Sequence, residues 1–167
     1  MMPINILRRK GIWIGQALLV LVLFSGQSFA DIAGGQAAII KGDFARAFKE
    51  FKIDAEKGVA YAQATVAVML HLGQGVKRDL PQAFSWYKKA ADQGYDAGVA
   101  NVGIMYYKGA GVSQDDVKAY AWLDFASYIR GGREHNAKAK AASYLSPAQL
   151  KKAQQLASSL RQKNGKK

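Results

Sequence analysis

The side chains able to do chemistry are few and scattered. The chain has two histidines, His71 and His135, and no cysteine. A metal centre needs three or four converging ligands, and neither histidine has a second ligand three or four residues away. No serine lies in a G-x-S-x-G turn, the context that exposes a nucleophile on a strand-to-helix elbow. Gly109-Ala110-Gly111 has the composition of a phosphate loop, but no strand precedes it and no G-K-[ST] follows, so it reads as a turn. Asp54, Glu56, Asp92 and Asp124 lie among lysines and arginines on helical stretches and read as solvated faces. These residues assemble no catalytic, cofactor or metal constellation, and the expectation is a protein that is not an enzyme.

The aromatic residues are better ordered. Phe48, Phe84 and Tyr120 recur at a spacing of 36, and so do Phe51, Tyr87 and Leu123. Core packing accounts for both sets. Trp86 and Trp122 share a third phase, where Glu50 stands one period earlier. They either pack between neighbouring helices or form a ladder of partner-binding anchors, a role that large aromatics fill well. Tyr107, at the position that His71 holds one period earlier, is a further candidate for partner binding.

The same period of 36 organises the elements that carry these residues. Ala47, Ala55, Ala64, Val66 and Met69 meet Ala83, Ala91, Ala100, Val102 and Met105. Gly58, Gly73, Gly75 and Asp79 meet Gly94, Gly109, Gly111 and Asp115. A fixed period in this range marks stacked supersecondary units. Ala83, Tyr87, Ala90 and Ala91 form one stripe of an α-helix; Val99, Val102, Gly103 and Tyr106 form another. Neither helix can bury its stripe alone, so each must lean on its neighbours. Small residues recur where backbones must touch, as Ala62/Gly98 and Ala67/Gly103. Gly58 and Gly94 suit the left-handed residue after a helix. Asp43, Asp79 and the run Ser113 to Asp116 suit helix starts, and Asp96 suits the N-cap of the helix after Gly94. Ser146-Pro147-Ala148-Gln149 opens a last helix to about residue 162.

WYKKAADQG followed by NVGIMYYKGAGVSQD resembles a Sel-one-like repeat (SLR), a relative of the tetratricopeptide hairpin distinguished by its paired-glycine turn. The resemblance covers roughly residues 43 to 130. It implies an all-α fold, a right-handed αα-solenoid of helical hairpins closed by a C-terminal capping helix. It also implies binding to another protein, with no enzymatic activity of its own. The first copy departs from the pattern, with Ala67 and Leu70 where Gly103 and Tyr106 stand in the second.

Residues 1–30 stand apart from this pattern. Arg8, Arg9 and Lys10 precede a run from Gly11 to Phe24 that is apolar except for Gln16, and Ser28-Phe29-Ala30 completes a cleavage site. That is a secretory signal peptide, and its apolar run is shorter than the roughly 17–25 residues that span a bilayer. The expectation is a periplasmic protein starting at Asp31, touching membrane only if the signal sequence stays uncleaved. The helical domain then covers 31–162, with repeats at about 43–79 and 80–115, a partial repeat at 116–145, a cap at 146–162 and a basic tail at 163–167.

The chain carries 24 basic and 12 acidic residues, a net charge of +12, and removing the three basic leader residues lowers it to +9. Residues 137–167 hold eight lysines and arginines, Lys151 and Lys152 among them, and no acid. A basic end steers anionic partners and is screened by salt. No base-reading motif accompanies it, so nucleic acid is not expected. The sequence therefore predicts a non-enzymatic periplasmic adaptor that binds another protein through a helical-repeat groove. The alternative is an envelope ligand binder that uses Lys151, Lys152 and the rest of the basic end on an anionic polymer or lipid.

Overall fold

The hairpins follow from the caps and stripes above. The computed structural model describes residues 32–131 and 136–164. The leader, Asp31, His135, Lys166 and Lys167 lie outside the described residues. Those described form eight helices and no strand: α1 (residues 32–40), α2 (Phe44–Glu56), α3 (Ala60–Leu72), α4 (Leu80–Asp92), α5 (Asp96–Lys108), α6 (Asp116–Ile129), α7 (Asn136–Ser143) and α8 (Pro147–Asn164). The helix starts Phe44, Leu80 and Asp116 keep the period of 36, as do Ala60 and Asp96.

Each first helix of a repeat opens on an aspartate cap. Asp43, Asp79 and Asp115 accept from the backbone N–H of Arg46, Gln82 and Lys118 at 3.0, 2.9 and 2.9 Å. Ser146 and Gln149 form a reciprocal capping box on α8, at 3.3 and 2.9 Å. Asp96 is a correction. The N-cap of α5 is Tyr95, with no side-chain bond, and Asp96 is the first helical residue. There its carboxylate takes Arg130 Nε at 2.9 Å, a tie between α5 and the end of α6.

Successive helices pack in chain order from α2 to α6, and α6 then takes both α7 and α8. The stripes form the core. Phe51, Tyr87 and Leu123 are 0, 2 and 0 % exposed, and Phe48 and Phe84 are partly buried against the same cluster. Burying each such large side chain contributes about 1.5–3 kcal/mol. The small residues work as spacers: a Cβ on Gly98 would lie 2.8 Å from Ala91 N, and one on Gly103 would lie 2.7 Å from Leu123 Cγ. Here α4 and α6 approach α5 too closely for any side chain.

The repeats are also stitched by hydrogen bonds. Gln93, after α4, donates to Gly58 O at 2.9 Å and to Gln63 Oε1 at 2.8 Å, and Gln63 donates to Ala55 O at 3.2 Å. One glutamine thus joins the turn of one repeat to the turn of the next.

The Asp115 cap gives a pH test. Burial alone would raise this carboxyl, but the N–H and ammonium of Lys118, with the Val117 N–H, outweigh it and hold the group below its ordinary value. A carboxyl lowered on folding stabilises above its unfolded pKa, about 4, and that share is lost as the pH falls through the folded value. The melting temperature is expected to drop between about pH 5 and pH 3. Asp115→Asn, which keeps the accepting oxygen but cannot titrate, should flatten part of that slope. An identical slope in the variant would show that the cap charge contributes nothing.

Candidate functional site

The six turn glycines, Gly58, Gly73, Gly75, Gly94, Gly109 and Gly111, all take positive φ. They shape the hairpins and line no chemistry. His71, at the end of α3, stacks edge-on against Tyr87 at 6.2 Å between ring centres. Burial first, then the charges of Arg78 and Lys108, lower its pKa below the ordinary imidazole value. Burial also pushes the Tyr87 phenol up to about 12. Among the described residues, no three His, Cys, Asp or Glu side chains gather as metal ligands.

The two tryptophans sit in the core. Trp86 is 9 % and Trp122 5 % exposed. Trp122 packs on Phe125 at 6.4 Å, and the Lys88 ammonium lies 5.1 Å from its ring centre. The Lys89 ammonium lies 3.9 Å from the Trp86 ring. Lysine side chains therefore lie over what the indoles leave open, and of the two readings the burial favours packing between neighbouring helices over a ladder of exposed anchors. The reading of solvated carboxylates also needs correction at two positions. Asp54 is fully buried. The Asp124 side chain is only 15 % exposed and is held by Arg161 and by Lys138.

These ion pairs redefine the basic end. Arg161 reaches Asp124, with its guanidinium also over Tyr128, and Lys163 reaches Asp92 of α4 at 3.7 Å. Asn164, in the stretch 163–167 read as a basic tail, is helical; it donates to Leu160 O at 2.9 Å, and a Cβ added at Gly94 would meet its side chain at 3.4 Å. The last helix thus crosses α6 and ends at the corner of the second repeat. Three of the eight basic residues are engaged internally. Lys140, Lys151 and Lys152 are exposed and form no ion pair among the described residues.

Of the candidates, Tyr107 lies in a cleft. With Ile104 and Lys108 of α5 and Asn136, Ala137 and Lys140 of α7, it lines a mainly apolar space of about 280 Å³. Lys108 and Lys140 are exposed and unpaired among the described residues. An apolar floor with two free cations beside it can hold an apolar side chain flanked by carboxylate. The sequence supplied Tyr107 only as a phase; the cleft itself needs α7 set against α5, and no periodicity announces that contact.

Fold and surface together define a class: a scaffold of stacked helical hairpins that presents clefts. The chain carries Sel1 repeats, and the family model for the Sel1 repeat matches residues 60–95 and 97–128. Proteins with these repeats generally mediate protein–protein interaction and are typically non-catalytic scaffolds. A protective antigen present in uropathogenic Escherichia coli strains, displaying an SLR fold, is similar with a TM-score of 0.75 and 31% identity over 85% of this chain. This chain spans only 31% of that antigen's length. A Sel1 repeat protein from Oxalobacter formigenes is similar with a TM-score of 0.61 and 28% identity, over 77% of this chain and 99% of that one. No curated protein matches the chain.

Proposed function

We propose that the protein is an exported, periplasmic, non-enzymatic adaptor that binds another protein. The leader pattern of Arg8 to Lys10, the apolar run and Ser28 to Ala30 supports the compartment. The observation that carries the binding reading is the α5–α7 cleft, with Tyr107 and Ile104 beneath the unpaired Lys108 and Lys140. The partner would present an apolar residue with an acidic neighbour. Apolar contact supplies the affinity, and the lysines supply selection and salt sensitivity.

The test is photo-crosslinking in cells with a photoreactive residue at Tyr107, compared with one at Ser85, exposed on α4. A discrete adduct from position 107 that Lys108→Glu with Lys140→Glu abolishes is expected. Equal adducts from both positions, or an adduct indifferent to the charge reversals, would remove the cleft from the binding surface.

A second reading rests on Lys151 and Lys152, exposed and unpaired on α8. They fit an anionic envelope polymer or lipid. Sedimentation with anionic vesicles at low salt, lost at high salt, would favour it; no sedimentation at low salt ends it.

A further inference from the structure

The joint between the first two repeats carries a link that the next joint lacks. Gln93, after α4, donates to Gly58 O at 2.9 Å and to Gln63 Oε1 at 2.8 Å. One period later, Ile129 stands at the phase of Gln93, Val99 at that of Gln63 and Gly94 at that of Gly58. Neither apolar side chain can donate or accept. Gly94 O accordingly accepts no hydrogen bond among the described residues.

A concavity of about 180 Å³ occupies this joint. Gln93 and Gly94 at the turn, Tyr128 and Ile129 at the end of α6, and Arg161 and Asn164 of α8 line it. Two of these residues carry a buried polar atom with no hydrogen-bond partner: Arg161 Nε, a donor, and Asn164 Oδ1, an acceptor. Such atoms are costly until something pairs them. Asn164 Oδ1 stands beside the turn, 3.4 Å from where a Cβ on Gly94 would lie. At the rim, Tyr128 is 59 % and Ile129 37 % exposed, so apolar surface flanks the polar atoms.

The unmet groups select the chemistry. A primary carboxamide holds two N–H donors and an accepting oxygen on one planar group. Its N–H groups suit Asn164 Oδ1 and Gly94 O, and its oxygen suits Arg161 Nε–H. A carboxylate only accepts, and would set its oxygens against two acceptors. Arg161 offers it little charge, since that guanidinium already holds Asp124. An alkyl group would leave all three atoms unpaired.

We propose that this joint is a binding site for a carboxamide side chain, a glutamine presented by a partner protein, seated at Gly94 as Gln93 is seated at Gly58. The residues flanking that glutamine lie on Tyr128 and Ile129. The site shares no lining residue with the α5–α7 cleft and does not depend on it.

The probe is the peptide N-acetyl-Leu-Gln-Leu-N-methylamide, titrated into isotope-labelled protein recovered from cells and followed by amide NMR shifts. The same peptide with Glu for Gln is the control. The glutamine peptide is expected to shift the backbone amides of Gly94 and Ile129 and the side-chain amide of Asn164. The glutamate peptide should bind at least about tenfold more weakly, because it sets acceptor against acceptor. Ile129→Gln supplies the missing link from within the chain, and should abolish binding and raise the melting temperature. Asn164→Leu, which removes the unpaired acceptor, should shrink the difference between the two peptides. The proposal is overturned by equal affinities, by shifts centred elsewhere, or by undiminished binding in Ile129→Gln. Absence of any shift with the glutamine peptide at about 10 mM, an affinity too weak for a built site, would overturn it too. The contrast between the peptides is read on the native protein, so it decides the matter even if a variant fails to fold.

Discussion

Gly111→Ala is expected to cost about 2–5 kcal/mol, a large share of the roughly 5–15 kcal/mol that holds a domain folded. Two effects combine. Gly111 has φ +73°, where a Cβ costs about 1–2 kcal/mol. A Cβ there would also run into the carbonyl of Leu80 and lie 2.8 Å from Pro81 N. Those are backbone atoms in the first turn of α4, so no rotamer change relieves the contact, and overpacking adds about 1–3 kcal/mol. Gly75 meets Phe44 and Ala45 in the same way one repeat earlier. Each glycine loop is thus seated on the first turn of its own repeat. Gly58→Ala is the control: φ is +96°, with nothing within 4 Å of the added carbon. It should show the strain alone. Denaturant unfolding of the two variants measures the difference, and equal costs would mean that the loop is not seated there.

Trp122→Ala should cost about 3–5 kcal/mol, the range for removing a large aromatic from a packed core. Its indole is 5 % exposed, touches Phe125 and is roofed by Lys88. Tyr144→Ala, at a position 67 % exposed, should stay within about 0.5 kcal/mol. If Trp122→Ala melted like the native chain but lost its partner, the indole would be an anchor after all.

Much of the fold was legible because the period repeats every physical requirement. Phe51 and Tyr87, Asp79 and Asp115, and Gly75 and Gly111 each state the same need twice, so packing, cap and turn could be read by comparing copies. What failed lies where the copies differ or where the contact crosses repeats. Trp86 and Trp122 share a phase, but a phase does not say which side carries a lysine roof. Asp54 interrupts an alanine phase, and its charge was read as exposure when the stripe position meant burial. Asp124 looked solvated because its partners, Lys138 and Arg161, come from outside its own repeat. The return of α8 to Asp92 and Gly94 likewise depends on side chains far apart in sequence. The α5–α7 cleft was hidden for the same reason, since only Tyr107 among its lining residues carried a periodic signal.

Amide hydrogen exchange on the full chain asks most directly whether the hairpins share one core. Helices α3 to α6 should exchange with one common opening free energy and respond together to Trp122→Ala, because each buries its stripe on the next. If the α2–α3 hairpin opened independently of α4–α5, with Trp122→Ala felt only in α6, the repeats would be separate units and the continuous stack would be wrong.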